Sequence, residues 1–187
     1  MRLFRGFAAL PAFRHAVVTI GSFDGVHLGH RALIGHLVAE ARAVGGESVV
    51  LTFEPHPRVT LGDSDGLRIL TPLDRKAALL EQLGVDVLIV IPFDRTFSAL
   101  SGREFIRQHI CQTIGAETIV VGYNHRFGHD RLDADGVEAL GALRVVRVGE
   151  CLVDGRHVSS TVIRRLLDEG RVEEAQRLLG HSAEIHS

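Results

Sequence analysis

The chain has 187 residues and a mass of 20.4 kDa, the size of one domain and enough to bury a core without disulfide or metal staples. Hydrophobic residues make up 45% and charged residues 24%, which excludes a disordered, collagen-like or coiled-coil chain. Lys and Arg number 21 against 23 Asp and Glu, a formal net charge of −2, so no basic excess serves bulk nucleic-acid or anionic-membrane binding and any anion site must be local.

The opening MRLFRGFAALPAF mimics a signal peptide only loosely, because its apolar patch is short and holds Pro11. It reads as a lead-in to the first strand. Residues 16–21 (AVVTIG) form that strand, apolar enough to be buried on both faces. Residues 29–44 place Leu33, Leu37, Val38 and Ala41 at helical spacing, and Gly45-Gly46 stops the helix. Residues 48–53 (SVVLTF) are the second strand. Residues 72–83 are helical, with Thr71 as N-cap, Pro72 at the first helical position and Gly84 as stop. Residues 85–91 (VDVLIVI) are the third strand. A helix over 101–112 opens on a capping box, Ser101 with Glu104. Residues 118–122 are the fourth strand, 135–143 a short helix and 145–153 the fifth strand. Helices over 159–169 and 172–179 close the chain.

This alternation predicts an α/β fold: a Rossmann-like, doubly wound, mostly parallel five-stranded sheet with helices on both faces. Residues 1–187 are expected to form one domain. Apolar runs such as 87–93 are too short to span a membrane. Cys111 and Cys151 stand far apart in apolar stretches and read as small buried hydrophobes in a reducing compartment. The protein is therefore expected in the cytoplasm. In such folds ligands bind where the strands end.

After the first strand comes Gly21-Ser22-Phe23-Asp24-Gly25-Val26-His27-Leu28-Gly29-His30, then a helix. Glycines at a strand-to-helix turn let backbone approach an anion, and the helix start offers N–H groups and the positive dipole end. His27 and His30 sit where both can face that anion; the bland alternative is packing and surface. The loop is neither a Walker A loop nor GxGxxG. Val158-Ser159-Ser160-Thr161-Val162-Ile163-Arg164 supplies N–H groups, hydroxyls and a guanidinium at another helix start, or is an ordinary capped helix with a surface arginine. Phe23 either packs on a ligand base or braces the loop, and Asp24 caps the turn or binds metal. His125 and His129, with Asp130, Asp133 and Asp135 nearby, suggest a metal site when read alone. His56, an isolated loop histidine, reads as solvent-exposed rather than catalytic.

His27-Leu28-Gly29-His30 resembles the HxGH signature of the nucleotidylyltransferase superfamily, and GSFDGVHLGH resembles the form found in the FMN adenylyltransferase module of prokaryotic FAD synthetases. Thr52-Phe53-Glu54-Pro55-His56-Pro57 is similar to that module's TFEPHP. The stretch from Pro92-Phe93-Asp94 through Phe97-Ser98-Ala99-Leu100-Ser101 to Glu104-Phe105 is similar to its F-D…F-x-x-L-S…E-F. Val121-Gly122-Tyr123-Asn124-His125-Arg126-Phe127-Gly128 resembles its VG-x-[DN]-F-R-F-G, and residues 158–164 its ISSTxIR. The resemblance spans about residues 1–180.

It implies an adenylyltransferase that joins ATP and FMN into FAD and pyrophosphate, with no covalent enzyme intermediate. By the family pattern His27, His30 and Arg164 are catalytic. Gly21, Phe23, Gly29, Ser159, Ser160 and Thr161 join them around ATP. Pro55, His56, Pro57 and Asn124 face the flavin. Asn124 is also placed near a Mg2+ ion held mainly by phosphates. ATP and FMN are the expected partners, with neither nucleic acid nor membrane.

Three departures qualify the match. The family commonly continues through LLGRPY into a riboflavin kinase module, whereas here Leu178-Leu179-Gly180 runs into HSAEIHS. This favours a free-standing adenylyltransferase without kinase activity, served by a separate riboflavin kinase. The segment 141–144 looks shortened, and His125 replaces an aromatic, so it takes a packing slot. The last two leave room for a different phosphorylated acceptor, and a non-catalytic flavin or adenine-nucleotide binder is a further alternative.

Overall fold

In the computed structural model, which describes residues 1–62 and 67–182, the Val- and Ile-rich runs become strands, the four central ones mainly buried. β1 (Arg2–Arg5), β2 (Val17–Ile20), β3 (Ser48–Glu54), β4 (Val87–Pro92), β5 (Thr118–Gly122) and β6 (Arg144–Val148) form one sheet in the order β1-β4-β3-β2-β5-β6. Every neighbouring pair is parallel. The sheet thus has six strands rather than five. The extra one is the segment read as a lead-in: residues 2–5 are mostly exposed and carry no apolar run, yet pair along the free edge of β4.

Successive side chains of each strand alternate between two helical layers. On one face Ile34, Leu37, Val38 and Ala41 of α1 (Leu28–Ala43), with Leu79 and Leu80, cover Val17, Val50, Leu88 and Val120. Leu79 and Leu80 belong to α3 (Leu73–Gln82), which follows a short α2 (Pro57–Thr60). On the other face Phe105, Ile106, Ile110 and Val137 cover Val18, Val49, Ile89 and Ile119. They come from α5 (Gly102–Phe105), its π-helical continuation over Ile106–Thr113 and α6 (Ala134–Glu138); α4 (Arg95–Ser98) precedes them. Two last helices, α7 (Ser160–Asp168) and α8 (Val172–Leu179), share their own apolar cluster of Ile163, Leu166, Ala175 and Leu178.

Several element ends move. The capping box at Ser101 and Glu104 forms, but the helix it opens widens into π turns, which the apolar spacing cannot distinguish. Thr71 does not cap α3. Pro72 takes the N-cap position without a side-chain bond, because the Thr71 N–H is held by Asp24 Oδ1 at 2.9 Å and draws the residue inward. The fifth long strand stops at Val148. Leu152–Val153 (β7) then pairs with Arg156–His157 (β8) in a hairpin whose turn residues Asp154 and Gly155 have φ 51° and 72°, as a tight Asp-Gly turn requires. Among the described residues no helix is long and apolar enough to cross a membrane. The tail 183–187, on which the free-standing reading leaned, lies outside the described residues.

The chain winds outward from β2 in both directions, so the crevice of this sheet opens beyond the ends of β2 and β5, at the topological switch point. The loop after β5 closes over the start of α5: Ser101 bridges Gly128, and Asp130 Oδ1 accepts the Gly102 N–H at 2.7 Å. Gly128 has φ 69°, and a Cβ there would overlap the Gly102 backbone nitrogen. Gly128→Ala is therefore expected to lower stability by at least about 1–3 kcal/mol, read as a lower urea midpoint at unchanged slope. An unmoved midpoint would show that the loop yields freely.

Candidate active site

The loop between β2 and α1 builds the floor of the crevice. Phe23, Gly25 and Val26 all have positive φ, at 46°, 92° and 38°. His27 is the N-cap of α1, and its Nδ1 accepts the His30 N–H at 3.2 Å. That bond leaves the ring proton on Nε2. The His27 and His30 rings stack with centroids 3.6 Å apart and planes at 14°, and the edge of Phe23 meets His30 at 5.2 Å. Gly29 permits this: a Cβ there would press on the His27 ring at 3.2 Å. Burial lowers the His27 pKa to about 4 and holds His30 well below its usual range. Both rings are neutral at pH 7 and act as dipolar partners, not cations. His30 Nδ1 is buried with no hydrogen-bond partner among the described residues.

Asp24 neither caps its own turn nor has an oxygen to spare for metal. It is 1% exposed. Oδ1 accepts the N–H groups of Leu70 and Thr71, both at 2.9 Å, and Oδ2 is ion-paired with Arg164. Arg164 Nε donates to the Arg68 carbonyl at 2.8 Å, which leaves its remaining terminal nitrogen for the cavity. Ser160 Oγ donates to the Asp24 carbonyl at 2.7 Å, and Ser159 caps α7. Beneath the loop, Lys76 Nζ donates to the Ser22 carbonyl at 2.7 Å.

A cavity of about 500 Å³ lies above these groups. Gly21, Phe23, His27, Gly29, His30, Ser159, Ser160, Thr161 and Arg164 all line it, as do His56, Pro57 and Asn124; Pro55 does not. His56 is half-buried, not an exposed loop residue: its Nδ1 accepts the Arg58 N–H at 3.2 Å and caps α2. A second, mainly apolar cavity of about 320 Å³ adjoins the first through Ile20, Phe53, Pro57 and His125. Phe93, Phe97, Phe105 and Phe127 complete its aromatic wall. His125 packs there, its ring 4.4 Å from Phe127, and burial takes its pKa to about 4. The metal reading of His125 and His129 is not supported: among the described residues no group of three or more His, Cys, Asp or Glu could hold an ion. Asn124, whose amide oxygen suits a hard cation, lines the first cavity. At the mouth, the Tyr123 hydroxyl meets His157 Nδ1 at 3.0 Å, and His157 pairs with Glu150 at 2.6 Å.

The sequence motifs named the two histidines and the α7 start, which the structure brings to one cavity. They did not foretell the buried Asp24–Arg164 pair, Lys76 or the phenylalanine-lined cavity. The repeated Phe residues of the 93–105 stretch were the one available hint of that cavity.

The family described as FAD synthetase matches residues 10–162. The bifunctional riboflavin kinase/FMN adenylyltransferase of Listeria monocytogenes is 37% identical over 169 residues, which covers 88% of this chain and 54% of the relative. Its Escherichia coli K12 counterpart is 33% identical over 189 residues, covering 97% and 60%. This chain thus spans little more than half the length of these relatives. A putative bifunctional riboflavin kinase/FMN adenylyltransferase of Geobacillus thermodenitrificans is 37% identical and covered over 89% of its length, across 88% of this chain. Among solved structures, a Streptococcus pneumoniae chain described as a macrolide-efflux protein superposes with TM-score 0.88 at 28% identity, covering 98% of this chain and 72% of that one. Pantothenate synthetase from Thermus thermophilus, at 20% identity and TM-score 0.56 over 96% of this chain and 81% of its own, shares the fold alone.

Proposed function

This chain belongs to the FAD synthetase family, and on that footing we propose that it transfers the adenylyl group of ATP to the phosphate of FMN, forming FAD and pyrophosphate. The observation that carries the reading is the junction of two unlike cavities. One has a mixed polar and apolar lining that includes the stacked His27–His30 pair and the α7 start; the other is mainly apolar and walled by phenylalanines. The first suits a nucleoside triphosphate and the second a flat aromatic ring system such as a flavin.

In the proposed reaction an FMN phosphate oxygen attacks the α-phosphorus of ATP. A new O–P bond forms, the bond to the bridging oxygen breaks, and pyrophosphate leaves with the charge. No protein nucleophile is needed; catalysis is positioning and charge stabilisation. His27 presents its Nε2 proton to the phosphates. His30 braces it from behind. Ser159 and Thr161, with the N–H groups of the α7 start, hold the leaving oxygens beside Arg164, while Ser160 ties that start to the floor loop through the Asp24 carbonyl. Asn124 would hold a Mg2+ ion brought in by the triphosphate; when bound, that ion would offset phosphate charge. His56 and Pro57 border the junction where the FMN phosphate would lie, and the exposed Pro55 stands outside it. We place the reaction in the cytoplasm.

Chromatography after incubation with FMN and Mg-ATP tests this. FAD and pyrophosphate should appear, and should vanish without magnesium. Pyrophosphate release that requires a non-flavin acceptor would replace FMN in the reading. Binding of both substrates without product would make this chain a binding protein.

A further inference from the structure

Lys76 lies on α3, outside every motif used above, yet it is 5% exposed and points beneath the floor loop. Its ammonium donates to the Ser22 carbonyl at 2.7 Å and to Thr52 Oγ1 at 3.3 Å. Among the described residues it forms no ion pair. An ammonium has three donors, and both partners here are neutral. Burial disfavours this ammonium and lowers its pKa, while Asp24 and Glu54 nearby favour it without pairing with it; a phosphate arriving above it would add a negative partner.

The Ser22 carbonyl also accepts from Thr52 Oγ1 at 3.1 Å. Two donors therefore pull this carbonyl below the loop, away from the cavity that Ser22 and Phe23 line. In a trans peptide the C=O and the following N–H point in opposite directions. The Phe23 N–H is thus turned toward the cavity, and it has no protein partner among the described residues. Phe23 itself has a positive φ of 46°. Burial is the main cause of the lowered pKa of His30 and His56, and the Lys76 charge acts in the same direction.

We propose that Lys76 is a positioning residue for the phosphates: its ammonium pins the Ser22–Phe23 peptide with the Phe23 N–H facing the cavity and supplies a fixed positive charge under the ligand. The proposal rests on reading the cavity as the ATP site. It assigns to Lys76 an effect confined to ligands that carry phosphate.

Calorimetric titration with ATP, pyrophosphate and adenosine separates this role from a merely structural one. Lys76→Met should weaken ATP and pyrophosphate about tenfold to a hundredfold, the size expected for a lost charge-assisted interaction, and leave adenosine unchanged. Lys76→Arg should restore most of the loss. Should Lys76→Met fail to fold, Lys76→Gln, which keeps an N–H donor but no charge, must show the same selective weakening. Equal weakening of adenosine, or no weakening of pyrophosphate in a folded variant, overturns the Lys76 role alone. Wild-type protein that binds neither ATP nor pyrophosphate overturns the nucleotide reading and this role with it.

Discussion

His30→Ala is expected to lower turnover by about 10²-fold, the cost of displacing a positioned group by about 1 Å, with FMN affinity unchanged. The backbone N–H that orients His27 survives the substitution, because it belongs to residue 30's main chain. What disappears is the ring stacked 3.6 Å behind His27 and met by the edge of Phe23. On the proposed reading, His27 would then lose the wall that holds it against the reacting phosphates, an effect that matters most in the transition state. The flavin would sit against Phe53, Phe97 and Phe127, and none of these touches His30 in a ring contact. Steady-state turnover and flavin fluorescence titration together check this. A parallel fall in FMN affinity, with turnover per bound substrate unchanged, would show that His30 does not position His27 for the reaction.

Asp24→Ala should destabilise the protein by about 3–5 kcal/mol, the usual result of stripping one partner from a buried ion pair. For a chain of this length that is a fall in melting temperature of about 10 °C. The reason lies in what is left behind. Arg164, only 13% exposed, loses its carboxylate, and the N–H groups of Leu70 and Thr71 lose their acceptor. Asp24→Asn keeps an oxygen for those N–H groups and should recover part of the loss. The double variant Asp24→Ala, Arg164→Met should recover more, because it leaves no charge unpaired. Thermal melts of the three variants measure this. A single variant that melts like the wild type would mean that water reaches the pair.

Local chemistry was legible in the sequence and long-range pairing was not. His27 and His30 were readable because a helix start and a glycine-bearing turn lie within a few residues of them. The alternation of Val-rich runs with helical spacing was enough to predict a parallel sheet, since a strand buried on both faces leaves a continuous apolar run. β1 was missed because an edge strand needs hydrogen bonds on one side only, and Arg2–Arg5 satisfies that with mostly exposed side chains. The β7–β8 hairpin was missed although Asp154-Gly155 marks its turn, because two-residue strands show no alternation. Asp24 and Arg164 are 140 positions apart, and no local pattern couples them. Lys76 looks like the polar side of a helix until the floor loop folds over it. The π turns over Ile106–Thr113 keep the apolar spacing of a helix and differ only in their hydrogen bonds.

The floor loop is held from far along the chain. Arg164 and Ser160 grip Asp24, and His181 Nε2 lies 2.8 Å from the Gly25 carbonyl. On a ribosome, which feeds the chain out from its amino end, the sheet strands emerge by residue 148 and can close their core. The first motif, made among the earliest residues, must wait for nearly the last described ones before its turn is locked. Assembly of the fold and assembly of the site are thus separated in time, and the nascent chain is shaped before it is equipped.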